Sequence, residues 1–218
     1  MTISRSIAVA LCVGLLSSCG SDQELILNPI KALISRSGQD TPLPDPRARL
    51  TQEILSRVKQ PILYVGIPKR NGMATIPQTG INRDAVTWQT PDGVGLTFRS
   101  GVLVATRGLG DDLLAADVED ILMSLDRGAQ DIVRIYDYLG GEDQVIRRSY
   151  VCSAVINGRE DIVIICETRR TTRITETCVG PDAEFTNTYW RAANGTMLQS
   201  NQYISDDVGI LETQLLVE

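Results

Sequence analysis

Histidine is absent from this chain, which removes the side chain most often used as general base, metal ligand and proton switch near neutral pH. Ser-His-Asp and Cys-His hydrolases, HExxH metalloproteases and His-ligated zinc or iron sites are thereby excluded. Carboxylate, lysine or tyrosine chemistry stays open. Positive charge is also scarce, with 21 basic against 27 acidic residues in 218, a net charge of −6 and a pI near 4.8. Such a surface has no excess with which to neutralise a phosphate backbone, so nucleic acid is not an expected partner. No apolar run reaches the roughly 18 to 20 residues of a spanning helix, and no internal repeat or low-complexity tract stands out. What remains is 43% hydrophobic and 22% charged, the balance of one globular domain with its own core.

The first eighteen residues carry Arg5 and then an apolar run from Ile7 to Leu16, too short for roughly 30 Å of hydrocarbon and suited to a signal peptide. Leu16-Ser17-Ser18-Cys19 follows, a hydrophobic residue and two small ones before cysteine, which resembles the lipobox of bacterial lipoproteins. The resemblance implies cleavage before Cys19 and lipidation of its thiol. Acyl chains worth about 0.8 kcal/mol per buried methylene would then anchor the chain to a membrane. Gly20 follows the cysteine in place of the aspartate that marks inner-membrane retention in enterobacterial lipoproteins, so the outer membrane is the expected address, on its periplasmic face. Without residues 1–18 the balance is 20 basic against 27 acidic. Three further cysteines, Cys152, Cys166 and Cys178, lie in a compartment that permits disulfides. Parity gives one bridge and one free thiol. Without histidine or CxxC spacing they make no structural zinc cage, and neither metal nor cofactor is expected.

Between Asp22 and Arg36, Leu25, Ile26, Ile30, Leu33 and Ile34 fall at roughly helical spacing interrupted by Pro29, predicting a short, weak helix. Residues 37–46 (SGQDTPLPDP) read as a linker, so residues 19–46 form a membrane-proximal segment and residues 47–218 the folded domain. Asp45 is the predicted N-cap and Pro46 the first position of a helix running to about Lys59, with Leu50, Ile54, Leu55 and Val58 on one face. After Gln60 short β-rich runs alternate with turn residues. The predicted strands are Ile62 to Ile67, Met73 to Gln78, Ala85 to Thr90, Gly95 to Arg99, Val102 to Thr106, Ile132 to Leu139, Val145 to Ile156, Ile162 to Thr168, Thr172 to Cys178, Glu184 to Ala193, Thr196 to Ile204 and Ile210 to Val217. Asp117 to Leu125 suits a turn or two of helix. Turns are expected at Pro91-Asp92-Gly93, Gly140-Gly141, Asn157-Gly158 and Asn194-Gly195. The expected fold class is mainly β, an antiparallel meander closing into a barrel or barrel-like sandwich so that its edges are removed, with short N-terminal helices.

Two groups of residues are candidates for binding. The loop after the fifth strand sets Arg107 beside two glycines and the adjacent carboxylates Asp111 and Asp112, a set suited to sugar hydroxyls or a partner. The plainer reading is a glycine-permitted turn capped by its aspartates. In the second group, a two-residue turn at Asn194-Gly195 would oppose Arg191 to Leu198, Tyr189 to Ser200 and Asn187 to Gln202. Asn187, Tyr189, Arg191, Ser200 and Gln202 would then form one polar face, with Trp190 and Met197 opposite, toward a core. That face offers the groups that carbohydrate sites use, and equally suits a solvated sheet surface.

Thr106-Arg107-Gly108-Leu109-Gly110-Asp111-Asp112-Leu113 resembles a hallmark of the group 4 capsule polysaccharide lipoproteins, the YjbF or GfcB family. Gly141-Glu142-Asp143-Gln144, Arg147-Arg148-Ser149-Tyr150-Val151-Cys152, Glu176-Thr177-Cys178, Phe185-Thr186-Asn187-Thr188-Tyr189-Trp190 and Ser200-Asn201-Gln202-Tyr203 are similar to that family in the same order. The likeness runs from about Ile54 to Glu218, with the lipobox in addition. Cys166 is an extra cysteine, and Tyr203 stands where tryptophan is expected. The resemblance implies an outer-membrane lipoprotein with a barrel-like β domain, accessory to capsule or exopolysaccharide production or secretion. It would act without catalysis, through polysaccharide or outer-membrane export proteins. It also implies a Cys152–Cys178 disulfide with Cys166 free, against the rival Cys152–Cys166 across a hairpin at Asn157 to Asp161. The alternatives are a carbohydrate-active enzyme using carboxylates and a structural lipoprotein tethering a barrel partner.

Overall fold

The computed structural model describes residues 44–140 and 144–218. The leader, Cys19, the expected helix between Asp22 and Arg36, most of the linker, and Gly141, Glu142 and Asp143 lie outside the described residues. Twelve strands make one antiparallel sheet: β1 (Ile62–Ile67), β2 (Gly72–Asn82), β3 (Ala85–Gln89), β4 (Gly95–Arg99), β5 (Val102–Arg107), β6 (Leu113–Ala116), β7 (Ala129–Leu139), β8 (Val145–Ile164), β9 (Glu167–Val179), β10 (Glu184–Arg191), β11 (Met197–Ser205) and β12 (Gly209–Val217). Their spatial order is β5-β4-β3-β2-β1-β12-β11-β10-β9-β8-β7-β6. Sequence neighbours are therefore spatial neighbours, except that β12 returns to pair with β1. The two ends of this order, β5 and β6, lie side by side, so the sheet curls into a nearly closed barrel with its seam there.

The alternation of side chains explains which residues fill it. Leu63, Val65 and Ile67 of β1 point into the main core with Ala74 and Ile76 of β2. Ile62 points outward, beneath Leu50 and Leu55 of the N-terminal segment. β1 is buried on both faces, which is why its sequence is an unbroken apolar run. The covering segment has Asp45 as N-cap of a 3-10 turn at Pro46–Arg49, then a break, then α1 (Gln52–Ser56) capped by Thr51. Asp45 accepts from the Arg47 backbone N–H at 2.8 Å and from its guanidinium, which lies 3.9 Å over the Tyr64 ring. The single helix expected to reach Lys59 is thus two short pieces. Capping by Thr51 restarts the helix, and Leu50 and Leu55 still reach the sheet.

Three other expectations are corrected. Asn157-Gly158 makes no hairpin: β8 runs through it with an irregularity between Ile156 and Gly158, and the chain turns at Ile165–Cys166. A bulge uses the same glycine freedom as a turn. The first aspartate-rich loop leads into β6, which was not expected because only Leu113 of its four residues is buried. At Asn194-Gly195 the turn is one residue longer than expected, closed by Gly195 N–H to Ala192 O (2.9 Å) and Ala192 N–H to Thr196 O (2.9 Å). Tyr189 does face Ser200, but Arg191 faces Met197 instead of Leu198. The expected short helix is α2 (Glu119–Ser124), at the barrel end that also holds the β4–β5 and β10–β11 turns.

Candidate functional site

The Arg107 loop holds the seam together. Asp112 accepts from Thr106 Oγ1 (2.9 Å), Gly108 N–H (2.8 Å) and Leu109 N–H (3.0 Å), while Leu113 N–H donates to Thr106 Oγ1 (2.9 Å). Gly108 and Gly110 have φ of 83° and 95°, so the loop needs residues without a β-carbon there. Leu109 is buried, and its carbonyl accepts from Arg70 Nη1 at 2.6 Å, with Arg70 Nη2 also on Asp207. Asp112 is therefore a clasp between the ends of β5 and β6. Arg107 is exposed and Asp111 half-buried on the same loop.

The second candidate row lies inside the barrel. Asn187, Tyr189 and Ser200 are fully buried and Gln202 is 2% exposed, so the polar face is the inner one. Trp190 instead packs with Ile162, Ile164 and Leu198 in a separate cluster. This reverses the expected facing of Asn187, Tyr189 and Gln202, and the reason is a matched set of interior partners. Glu176 of β9 accepts from Arg134 Nη1 (2.8 Å), Asn187 Nδ2 (2.8 Å) and the Tyr189 hydroxyl (2.6 Å). Asn187 Oδ1 in turn accepts from Tyr203 N–H (2.7 Å), and Arg134 Nη2 donates to the Tyr136 hydroxyl (3.0 Å). Burial opposes the Arg134 charge, but Tyr136, Glu176 and Tyr189 around it hold its pKa above the ordinary value. Burial likewise pushes Tyr136 up to about 12 and Tyr189 well above the usual phenol.

Gln202 has a different task. Its Nε2 donates to Gly101 O (2.9 Å) and Ser200 Oγ (2.8 Å), and its Oε1 accepts from Leu103 N–H (2.8 Å). Among the described residues β5 has a ladder only with β4, so Gln202 supplies across the barrel what a sheet edge otherwise leaves unpaired. Arg191 is half-buried and reaches Asp126 (2.7 Å) and Gly195 O (3.3 Å). The structure thus brings Asn187 and Tyr189 together on Glu176, sets Gln202 at the β5 edge, and keeps all three apart from the Arg107, Asp111 and Asp112 loop.

Cys152 and Cys178 face each other on β8 and β9 and are bonded at 2.02 Å, while Cys166 is free and exposed in the β8–β9 turn. The Cys152–Cys166 alternative is thereby excluded. Glu176 lies within 4.8 Å of both bonded sulfurs. Those sulfurs are joined to each other, and the Glu176 oxygens already take three donors.

What sequence reasoning missed is a cleft of about 450 Å³ where the β4–β5 and β10–β11 turns converge over the ends of β1, β2, β3 and β12. Leu63, Val86, Trp88, Phe98, Met197 and Leu215 give it an apolar floor; Gln78, Ser100, Asn194 and Thr196 add amides and hydroxyls. The two turns touch closely. Gly101 has φ of 83°, and a β-carbon there would lie 2.1 Å from Met197 Cβ. Each turn was legible locally, but their meeting depends on the curl of the whole sheet.

Residues 28–216 match the family model described as group 4 capsule polysaccharide lipoprotein gfcB, YjbF. The crystal structure of the hypothetical lipoprotein YmcC from Escherichia coli K12 superposes with a TM-score of 0.65 at 19% identity, covering 77% of this chain and 88% of that one. An exported protein with a YmcC-like fold from Bacteroides fragilis aligns at 10% identity over 72% of this chain and 93% of its own, with a TM-score of 0.38. A lipoprotein from Parabacteroides distasonis aligns at 8% identity over 74% and 95%, with a TM-score of 0.36. No curated protein matches the chain in sequence. The first of these structures shares the barrel, and the family match covers far more than half the chain. The chain therefore belongs to the YjbF family of group 4 capsule polysaccharide lipoproteins.

Proposed function

We propose that this protein is an outer-membrane lipoprotein, anchored through Cys19 on the periplasmic face, that serves capsule or exopolysaccharide production by binding polysaccharide or an export partner. The observation that carries this reading is the family match over residues 28–216. The structure supports a binding role through an open, mixed-polarity cleft built on a rigid barrel. Of the residues singled out in sequence, Arg107 and Asp111 are the ones we assign to contact with a partner, being outside the interior network. Asn187, Tyr189, Gln202 and Asp112 serve by holding the barrel in shape, and Arg191 by steadying the β10–β11 turn.

The test is the amount of surface and periplasmic polysaccharide in a strain lacking the gene, complemented with the wild-type chain or with Cys19→Ala. Loss of surface glycan restored only by the wild-type chain is the expected result. Unchanged glycan in the deletion strain overturns the proposal.

A further inference from the structure

The cleft holds a chemical specification that goes beyond an accessory role. Its floor is apolar, and its wall carries neutral groups that both donate and accept. Among the described residues, nothing is hydrogen-bonded to the side chains of Gln78, Ser100 or Thr196, although Gln78 is half-buried. A half-buried amide without a protein partner is a polar group placed for a ligand or solvent. No lysine or arginine lines the cleft among the described residues; its one charged lining residue is Glu218, whose carboxylate accepts from Arg169 at 2.9 Å. An anionic ligand would meet no cation there. An alkyl chain would leave the amide and hydroxyls unpaired, each at a cost. The chemistry that satisfies both surfaces is a ring with an apolar face and a rim of uncharged hydroxyls.

We propose that this cleft is a subsite for a neutral pyranose unit of a glycan, with Gln78, Ser100 and Thr196 hydrogen-bonding its hydroxyls and Leu63, Val86, Trp88 and Leu215 under its apolar face. The volume, about 450 Å³, lies within the range of small-molecule sites. The closeness of Gly101 and Met197 fixes the two turns against each other, so the walls are set before a ligand arrives, which lowers the ordering cost of binding. Choosing a sugar rests on the reading of the protein as a capsule accessory.

The experiment is calorimetric titration of the full chain with neutral gluco-, galacto- and manno-oligosaccharides, a hexuronic-acid oligosaccharide and decanoate. At least one neutral series is expected to bind, and the hexuronic oligomer more weakly. Val86→Trp fills the cleft from β3 and should weaken binding at least tenfold, and Thr196→Trp does so from the half-buried rim if the first variant fails to fold. Gln78→Leu keeps the shape and removes the amide, which should cost about three- to tenfold. Absence of binding by every neutral series, equal binding by the filled variants, or binding of decanoate alone overturns the proposal. The two proposals fail separately. Glycan loss in the deletion strain without sugar binding removes the subsite and leaves the accessory role, while sugar binding with unchanged glycan does the reverse.

Discussion

Replacing Glu176 by glutamine is the sharpest test of how the barrel interior is held. The carboxylate is fully buried and bonded to three donors, one of them the guanidinium of Arg134, itself 1% exposed. Glutamine is the same size but offers one oxygen and one NH₂. If the oxygen faces Arg134, the NH₂ meets the Asn187 amide, which cannot flip because its own oxygen already accepts from Tyr203 N–H. If the oxygen faces Asn187 and Tyr189, the NH₂ meets the Arg134 donor. Either way a buried positive charge loses its counter-charge, a change that costs about 3 to 5 kcal/mol. That is a fifth or more of the roughly 5 to 15 kcal/mol by which domains are stable. Arg134 Nε is already buried without a partner, so the charge has little else to lean on. Urea denaturation of the purified wild-type and Glu176→Gln chains measures the difference. The combination Arg134→Leu, Glu176→Leu and Tyr189→Phe removes the charges and one hydroxyl together and should recover most of the loss, since a buried ion pair often contributes little against apolar residues of similar volume. A loss below about 1 kcal/mol for Glu176→Gln would refute the reasoning, because it would mean that solvent or another group already compensates Arg134.

Three further outcomes follow from the same structure. Removing the Cys152–Cys178 bridge, which closes 26 residues, should cost about 3.5 kcal/mol in the chain-entropy account, read as a shift of the urea midpoint in Cys152→Ala/Cys178→Ala. Peptide mapping of the unreduced wild-type protein should show these two cysteines linked and Cys166 alkylatable without reduction. Gln202→Leu orphans Leu103 N–H and Gly101 O, so it should destabilise by about 2 to 3 kcal/mol and speed hydrogen exchange at Leu103 while leaving the β8–β9 hairpin protected. Alkaline pH should unfold the protein through its buried phenols. Burial raises Tyr136 to about 12 and holds Tyr138, Tyr189 and Tyr203 well above the ordinary value. A raised folded pKa gives stability that is complete below the unfolded value near 10 and is lost as pH climbs toward the folded value. Phenolate absorbance should therefore rise together with loss of circular dichroism, and a smooth rise ahead of unfolding would contradict the burial.

The barrel was legible because its connections are local. Ten of the eleven pairs of consecutive strands are hydrogen-bonded neighbours, so alternation and turn residues were enough to find most strands, including β4 at its observed bounds. The failures share a cause. Asn157-Gly158 carries the residues of a turn, yet β9 continues alongside, and the ladder converts that freedom into a bulge. The row of Asn187, Tyr189 and Gln202 was read by polarity, which on one strand points to solvent. Polarity alone cannot tell an outer face from an inner one supplied with partners, and the partners came from elsewhere: Arg134 on β7, Glu176 on β9, and the unpaired edge of β5. Arg134 had shown no sign of this role, because a single arginine in a β run reads as an outward side chain until the strand across the barrel is known. The stretches of this sequence that resemble the family fall on these same places. Asp112 lies at the seam, Glu176 in the buried ion pair, Cys178 in the disulfide and Gln202 at the stapled edge. Those motifs therefore specify how the barrel closes more directly than what it holds. The ligand chemistry is to be sought where the motifs are silent, in Gln78, Val86, Ser100 and Thr196 around the cleft, whose sequence context gave no signal because the β10–β11 turn meets β2, β3 and the β4–β5 turn only through the curl of the whole sheet.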